Sequence, residues 1–302
     1  MQKGLAYIFP AFTLKYTGKE VRLIRETGFD LEQRISESGR TLGLNIEDFD
    51  LKENNYLQSE LENQILSYIF SCTFGDLLRE KGAEPELVSG FSMGLYAALY
   101  HSGAVDFRTG LFLIRDIYTQ VRTILGSAEY TMASVVGFSL EDLRALSAPF
   151  SSVEAVIQNG MHSFVLSGTE ADIEALLPLL REEGAIHLSR FNLSSAYHAK
   201  VLQAHTRDFE KVVNRYPFEE ACIPVFSMID LEKRQSVDEL KREIVRNVSR
   251  PLNFYDSLLQ MNGRGIRTFV EVGSGTALLK SSKFIEGDFE FIAVAKGRYG
   301  LK

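Results

Sequence analysis

Residues 87–103 read LVSGFSMGLYAALYHSG, and this stretch decides the fold and the chemistry that we expect. Leu87–Ser89 is a short apolar strand, and Gly94–Ser102 is an alanine-rich helix that Gly103 ends. The five residues between them, Gly90-Phe91-Ser92-Met93-Gly94, fit the pattern G-x-S-x-G. In a strand-turn-helix unit of this kind, the glycines allow a sharp turn that exposes the serine hydroxyl. We therefore predict that Ser92 is a nucleophile, and that the N–H of Met93 faces the developing oxyanion.

A match to five residues also arises by chance, as a glycine-rich turn with an incidental serine. A nucleophilic serine needs a base, and the chain has five histidines. We expect a structural role for His101. His162 and His187 lie in the middle segment of the chain, whereas His198 and His205 can share a helix face. His198, in the sequence SSAYHAK, is the candidate base among the five, which are His101, His162, His187, His198 and His205.

The middle of the chain has a pattern of its own. Its elements follow the order β-α-β-β-α-β, which is typical of a ferredoxin-like domain. The predicted strands are Met132–Val136, Val153–Gln158, Phe164–Ser167 and Ile186–Leu188, and the predicted helices are Leu140–Ala148 and Glu170–Glu183. We predict an α/β fold with this small domain (129–195) inserted into a larger one (1–128 and 196–302).

The flanking segments supply the elements of the larger domain. A buried strand is predicted at the start, and residues 19–82 are mostly helical with a break around the acidic stretch NIEDFDLKENN. The remaining predicted elements are strands at Gly4–Phe9, Pro224–Ser227, Thr268–Val272 and Phe291–Val294, and helices at Asn63–Lys81, Phe107–Leu125, His198–Asn214, Val237–Val245 and Leu252–Met261.

Composition excludes several classes of protein. The net charge is −7, from 33 basic and 40 acidic side chains, which disfavours nonspecific nucleic-acid binding. No apolar stretch is long enough to span a membrane, and the apolar run at the N-terminus is too short for a signal peptide, so we expect a cytoplasmic protein. Cys72 and Cys222 lack the spacing of a metal site, and two buried free thiols are favoured over a disulfide.

Taken together, several segments resemble the malonyl-CoA:acyl-carrier-protein transacylases and the acyltransferase domains of polyketide synthases. They occur in the order of that family and span nearly the whole chain. The matching segments are IFP (8–10), GFSMGLYAAL (90–99), the helix with Arg115, SAYH (195–198), PVFS (224–227), NVSRPLNFYDSL (247–258) and FVEVGSG (269–275).

The resemblance implies an α/β-hydrolase-like large domain with a ferredoxin-like insert, and a ping-pong mechanism. Ser92 would accept an acyl group from malonyl-CoA, and the phosphopantetheine thiol of an acyl carrier protein would then remove it. His198 would be the base, oriented by a backbone carbonyl at the position of Asn247, and Arg115 would bind the malonyl carboxylate. No cofactor or metal is implied beyond the coenzyme A thioester substrate, and the family suggests a monomer.

Asn247 and Arg115 each have a simpler alternative, as a polar residue at a helix end and as a surface arginine. The chain also departs from the family's usual pattern. Its G-Q-G-S-Q loop is Ala11-Phe12-Thr13-Leu14-Lys15 here, so that the second oxyanion donor would be the N–H of Phe12. Three further positions differ from the family. Phe91 replaces the histidine that usually precedes the nucleophile, and Leu95 replaces the acidic residue that usually follows the second glycine of G-x-S-x-G. Tyr197 replaces the phenylalanine that usually precedes the base.

Two other functions remain open from the sequence. An acyl hydrolase of the same fold would discharge acyl carriers to water, but would not be expected to keep an arginine for a carboxylate. A non-catalytic carrier-binding protein would explain the altered loop, but not the retention of Ser92 and His198. The sequence does not distinguish fatty-acid from polyketide synthesis. Because the chain is acidic, an acidic carrier would need a local basic patch, for which Lys200, Lys280 and Lys283 are candidates.

Overall fold

A computed structural model describes residues 4–12, 18–44, 46, 59–191 and 193–297. Two β-sheets carry the structure. The strands, in chain order, are β1 (Leu5–Phe9), β2 (Leu87–Gly90), β3 (Tyr130–Val136), β4 (Glu154–Gly160), β5 (Ser163–Thr169), β6 (His187–Arg190), β7 (Val225–Phe226), β8 (Lys233–Arg234), β9 (Leu252–Asn253), β10 (Thr268–Glu271) and β11 (Glu290–Ala293).

The helices are mostly amphipathic, and several begin at a residue whose side chain caps the first turn, as Asp106 does for the long helix α5. In chain order they are α1 (Lys19–Arg25), α2 (Leu31–Leu42), α3 (Glu60–Glu80), α4 (Gly94–His101), α5 (Phe107–Leu125), α6 (Leu140–Ser147), α7 (Glu170–Glu182), α8 (Lys200–Gln203), α9 (Thr206–Val213), α10 (Val237–Ser249), α11 (Phe254–Gly263) and α12 (Ala277–Ser282).

The larger sheet has six strands in the order β11-β10-β1-β2-β7-β8. All neighbours in it are parallel except β7 and β8. Every residue of the central strands β1 and β2 is buried, which explains their continuous apolar sequence. Because parallel strands end at one edge of a sheet, the carboxyl ends of β1 and β2 bring Phe12 close to Ser92.

The smaller sheet has five strands in the order β6-β3-β5-β4-β9. Its first four strands are antiparallel, whereas β9, from the C-terminal part of the chain, pairs in parallel with β4. Nine buried side chains of strands β3 and β5, of helices α6 and α7 and of Phe138 form a separate core here. The small sheet is therefore packed on its own helices and is also joined to the rest of the chain by β9.

Three details of the structure differ from the sequence-based predictions. The predicted helix His198–Asn214 is two helices, α8 and α9. The backbone of His205 is not helical and separates them. Cys72 is buried and Cys222 is exposed, so that the prediction of two buried thiols is wrong for Cys222. The helix α12 and the two-residue strands β8 and β9 were not predicted, since they are too short to show a periodic pattern. Most of the stretch NIEDFDLKENN lies outside the described residues.

Candidate active site

The turn between β2 and α4 holds Ser92 in a backbone conformation that is rare for a residue with a side chain. Its φ angle is 55°, and such strain is usually found at functional positions. The flanking glycines make the turn possible. A Cβ at Gly90 would lie 2.1 Å from the backbone nitrogen of Leu95, and one at Gly94 would lie 2.1 Å from the carbonyl oxygen of Phe9. Both glycines are therefore required by the close approach of the backbone.

His198 lies against the hydroxyl of this serine. The distance from Ser92 Oγ to His198 Nε2 is 2.8 Å, which is a normal hydrogen bond. His198 itself has a positive φ angle of 64°, and its backbone N–H donates to the carbonyl oxygen of Val248 at 2.8 Å. A histidine from the middle of the chain is thus fixed by the C-terminal end of α10 and can receive the serine proton.

The imidazole of His198 is 1% exposed, and this burial dominates its electrostatics. Burial lowers the pKa of His198 to about 4, although the backbone carbonyl groups of Asn247 and Arg250 act in the opposite direction. The Nδ1 atom has no hydrogen-bond partner of normal geometry among the described residues. Because the pKa is low, the ring is neutral at physiological pH and Nε2 is able to accept a proton.

Asn247 contacts Ser92, the partner of His198. Its side-chain Nδ2–H donates to the backbone carbonyl oxygen of Ser92 at 3.0 Å, across 155 positions of sequence. The side chain is nearly buried at 6% exposure. The end of α10 therefore touches both Ser92 and His198, through a side chain in the first case and through the backbone in the second.

The backbone N–H groups of Met93 and Phe12 are the two predicted oxyanion donors. Met93 precedes the first residue of α4, and Phe12 follows strand β1; both residues line the cavity that contains Ser92. Within the described residues, neither N–H donates a hydrogen bond to the protein. The N-terminus of α4 also favours negative charge at this point. Thr13, Leu14 and Lys15, the rest of the altered loop, lie outside the described residues.

The inner pocket, as we call the cavity behind Ser92, is small. It has room for about 20 Å³, which is close to the space of a single water molecule. Its walls come from α3, α4, α5, α10 and the segment before His198. Besides the residues already described, they are Gln64, Tyr96, Ile117, Tyr197 and Val248.

The outer cleft, a second cavity of about 450 Å³, also reaches Ser92 and His198. It lies between the two sheets, and most of its walls are apolar, including Met132, Ile157 and Leu278. Helix α12 forms one side, and Glu271 holds this helix by accepting backbone N–H groups of Leu278 and Leu279 at 3.2 and 2.9 Å. The outer cleft is wide enough to admit an extended substrate to the serine.

The comparison with known proteins agrees with this arrangement. Residues 65–283 match the model of the family described as acyl transferase domain. The chain belongs to that family. Relatives of this acyltransferase include the malonyl CoA-acyl carrier protein transacylases of Synechocystis, 26% identical and with 90% of each chain covered, and of Bacillus subtilis, 22% identical and with 96% and 93% covered.

Solved structures share the fold of the acyltransferase. The malonyl-CoA:acyl carrier protein transacylase of Helicobacter pylori matches with a TM-score of 0.86 at 23% identity, over 96% of this chain and 94% of that one. A malonyl-transacylase in complex with a type II acyl carrier protein matches with a TM-score of 0.85 at 19% identity, over 96% and 95%. Their mixed α/β fold is therefore also the fold of this chain. No helix in its described part is long and apolar enough to cross a membrane.

The structure does not bring Arg115 to the inner pocket. Its Nε donates to Asp116 Oδ1 at 2.7 Å, and its guanidinium lies 4.9 Å from the centre of the Phe112 ring. Ile117, two positions further along α5, lines the pocket instead. Two residues correspond to a rotation of about 200° around a helix, so that Arg115 faces away from Ser92. The predicted contact between Arg115 and a substrate carboxylate has no support in this geometry.

The other four histidines of the acyltransferase line neither of the cavities that reach Ser92. His101 is buried and stacks on Phe9 with a centroid distance of 5.0 Å, His162 lies in the turn between β4 and β5, and His187 begins β6. Sequence reasoning missed the pocket residues Gln64, Tyr96 and Ile117. Ile117 had a usable signal, because Gly110, Leu113, Ile114, Ile117 and Val121 recur at helical spacing on the buried face of α5.

Proposed function

We propose that this acyltransferase moves an acyl group from coenzyme A to the phosphopantetheine thiol of an acyl carrier protein, through an ester on Ser92. The observation that carries the proposal is the hydrogen bond of 2.8 Å between Ser92 Oγ and His198 Nε2, in a chain that belongs to the acyl transferase family. The names of its relatives, malonyl CoA-acyl carrier protein transacylases, support coenzyme A and a carrier protein as donor and acceptor.

In the first half-reaction Ser92 Oγ attacks the thioester carbonyl. His198 Nε2 takes the serine proton, the carbon–sulfur bond breaks, and the proton passes to the sulfur of coenzyme A, which leaves as the thiol. The N–H groups of Met93 and Phe12 would stabilise the oxyanion of the tetrahedral intermediate. Donors of this kind are worth about 10²–10³ in rate.

In the second half-reaction the carrier thiol gives its proton to His198 and attacks the ester. The bond between the acyl carbon and Ser92 Oγ breaks, and His198 returns the proton to Ser92 Oγ, so that the acyl group leaves as a thioester of the carrier. Its phosphopantetheine arm would reach Ser92 through the outer cleft, whose apolar walls and volume of about 450 Å³ suit such an arm. Two contacts would hold the base and the nucleophile in register. These are the carbonyls of Asn247 and Arg250 near His198 and the side chain of Asn247 on the Ser92 carbonyl.

The fold proposal follows from the two sheets. The order β6-β3-β5-β4 with α6 and α7 supports a ferredoxin-like domain at 129–195, inserted into an α/β-hydrolase-like domain that is formed by 1–128 and 196–302. In this arrangement the small domain supplies Met132, Ile157 and Val165 to one wall of the outer cleft.

Hydrolysis is the second candidate function, and the position of Arg115 favours it. An arginine in the acyl pocket would favour transfer over hydrolysis, but the guanidinium of Arg115 pairs with Asp116 instead. A hydrolase would use the same Ser92 ester and His198, with water in place of the carrier thiol.

One experiment separates the two functions. The enzyme is mixed with an acyl-CoA and a holo acyl carrier protein, and mass spectrometry follows acyl carrier and free acid over time. Transfer predicts that most of the acyl group appears on the carrier and that omission of the carrier leaves a long-lived acyl-enzyme. Release of free acid at the same rate with and without carrier would reject transfer in favour of hydrolysis.

A further inference from the structure

The described residues in the walls of the inner pocket carry no positive charge. Among the described residues that line it, and also among those of the outer cleft, there is no lysine or arginine. The polar side chains at the far wall are an amide and two phenols, from Gln64, Tyr96 and Tyr197. Burial raises the pKa of Tyr96 well above its ordinary value, so that its phenol is uncharged. The described part of the pocket thus offers neutral hydrogen-bonding groups and no counter-ion.

A carboxylate lies directly behind this wall. Glu60 Oε1 accepts a hydrogen bond from Gln64 Nε2 at 3.3 Å, and Glu60 Oε2 accepts one from Ser195 Oγ at 3.1 Å. The same Gln64 amide donates to the Tyr197 hydroxyl at 2.9 Å. Glu60 forms no ion pair with another described residue, and burial raises its pKa. The surroundings of Glu60 therefore disfavour its own negative charge.

Any acyl group on Ser92 would have to enlarge the inner pocket, which has room for about one water molecule. An acyl group with a free carboxylate would also meet two unfavourable effects there. It would lose its hydration without gaining a cation, and it would lie near the charge of Glu60. Arg115, on α5, faces away from Ser92 and is already paired with Asp116. An uncharged acyl group of the same size meets neither effect.

We infer that the group which this enzyme loads on Ser92 is an uncharged acyl group, and that carboxylated groups such as malonyl are disfavoured. The inference rests on the proposed acyl transfer through Ser92 and specifies its substrate class. The chemistry is otherwise the same: the serine oxygen forms an ester with the acyl carbon, and coenzyme A leaves as a thiol with the serine proton.

The test compares two donors of nearly equal size that differ in charge. Acetoacetyl-CoA and malonyl-CoA both carry four heavy atoms beyond the thioester carbonyl, but only malonyl is an anion. Release of coenzyme A from each donor gives kcat/KM for acylation at pH 8. We expect acetoacetyl-CoA to be favoured by about tenfold or more, since an uncompensated buried charge is costly. Equal rates, or a preference for malonyl-CoA, would overturn the inference.

Three variants test which residues cause the preference for an uncharged donor. Glu60→Gln should raise the rate with malonyl-CoA about fivefold relative to acetoacetyl-CoA, because it removes the nearby negative charge. Arg115→Ala should leave the ratio of the two rates within about twofold of wild type, and so should a change of Lys15 to Ala, in the part of the loop outside the described residues. A selective loss of malonyl transfer in either of the last two variants would overturn the inference.

The inference and the proposed function fail in different ways. If neither donor acylates the enzyme, the proposed function is wrong. If both donors acylate Ser92 and malonyl-CoA is preferred, acyl transfer stands and only the substrate class is wrong.

Discussion

The side-chain amide of Asn247 donates a hydrogen bond of 3.0 Å to the backbone carbonyl of Ser92. This bond links the end of α10 to the strained turn that presents the nucleophile, at a φ angle of 55°. The neighbouring Val248 carbonyl accepts the N–H of His198 at 2.8 Å. One helix end therefore sets the relative positions of nucleophile and base.

Removal of the Asn247 amide should slow the chemical step without unfolding the protein. We expect Asn247→Ala to lower the acylation rate by about one to two orders of magnitude, because small misplacements of reacting groups are costly. Asn247→Asp should be slower still, since an anionic acceptor would face the Ser92 carbonyl. Stopped-flow release of coenzyme A measures the rate, with Asn214→Ala, at an exposed helix end, as the matched control. An unchanged rate in Asn247→Ala would reject the positioning role.

The second oxyanion donor can be tested at Phe12, because the proposed role belongs to the backbone and not to the ring. Phe12→Pro removes the N–H and should lower the acylation rate by about 10²–10³-fold. Phe12→Ala keeps the N–H and widens the pocket, so its rate should stay near that of wild type. The kcat values of the two variants, measured with the same donor, show whether the N–H or the ring of Phe12 is required. Similar losses in both variants would show that the ring matters and the N–H does not.

The pH dependence of acylation follows from the low pKa of His198. The base acts in its neutral form, and burial lowers its pKa to about 4. The enzyme is therefore active above this pH and loses activity as the pH falls through it. We expect kcat/KM to be nearly constant from pH 8 to about pH 5, whereas a histidine of ordinary pKa would already fail near 6.5. His198→Ala should abolish the profile by removing most activity. An acidic limb near pH 6.5 or above would contradict the assignment.

Much of the fold could be predicted from the sequence, because it depends on local patterns. The bounds of α5 agree with the prediction Phe107–Leu125, since Asp106 caps its start and Gly126 ends it. The orientation of Arg115 could not be predicted in this way. Resemblance pointed to an arginine on this helix, but the side of the helix that faces Ser92 depends on rotation, which the buried positions specify. Contacts such as that of Asn247 with Ser92 join residues 155 positions apart and have no local pattern.

Docking of the carrier protein should depend on lysines at the edge of the outer cleft. Lys280 and Lys283 are exposed on and just after α12, the helix that lines the cleft through Leu278 and Ser281. Lys200, the third candidate, lies beside Glu154 Oε2 at 3.7 Å, which partly neutralises it. Double charge reversal of Lys280 and Lys283 to Glu should raise KM for the carrier and flatten its salt dependence.

Two controls accompany this double variant. Acylation by coenzyme A thioester in the absence of carrier should stay unchanged, and Lys211→Glu, on a helix that lines neither cavity, should not affect KM. If the double variant has the KM of wild type, the carrier binds elsewhere.

Mass spectrometry of the acylated protein shows whether Ser92 carries the acyl group. Wild type and Ser92→Ala are each mixed with acetoacetyl-CoA or with malonyl-CoA, quenched in acid and mapped by peptic digestion. We expect one acyl group per chain, on a peptide that contains Ser92, and no acylation of the Ser92→Ala protein above background. An acyl group on another residue, or undiminished acylation of Ser92→Ala, would contradict this assignment.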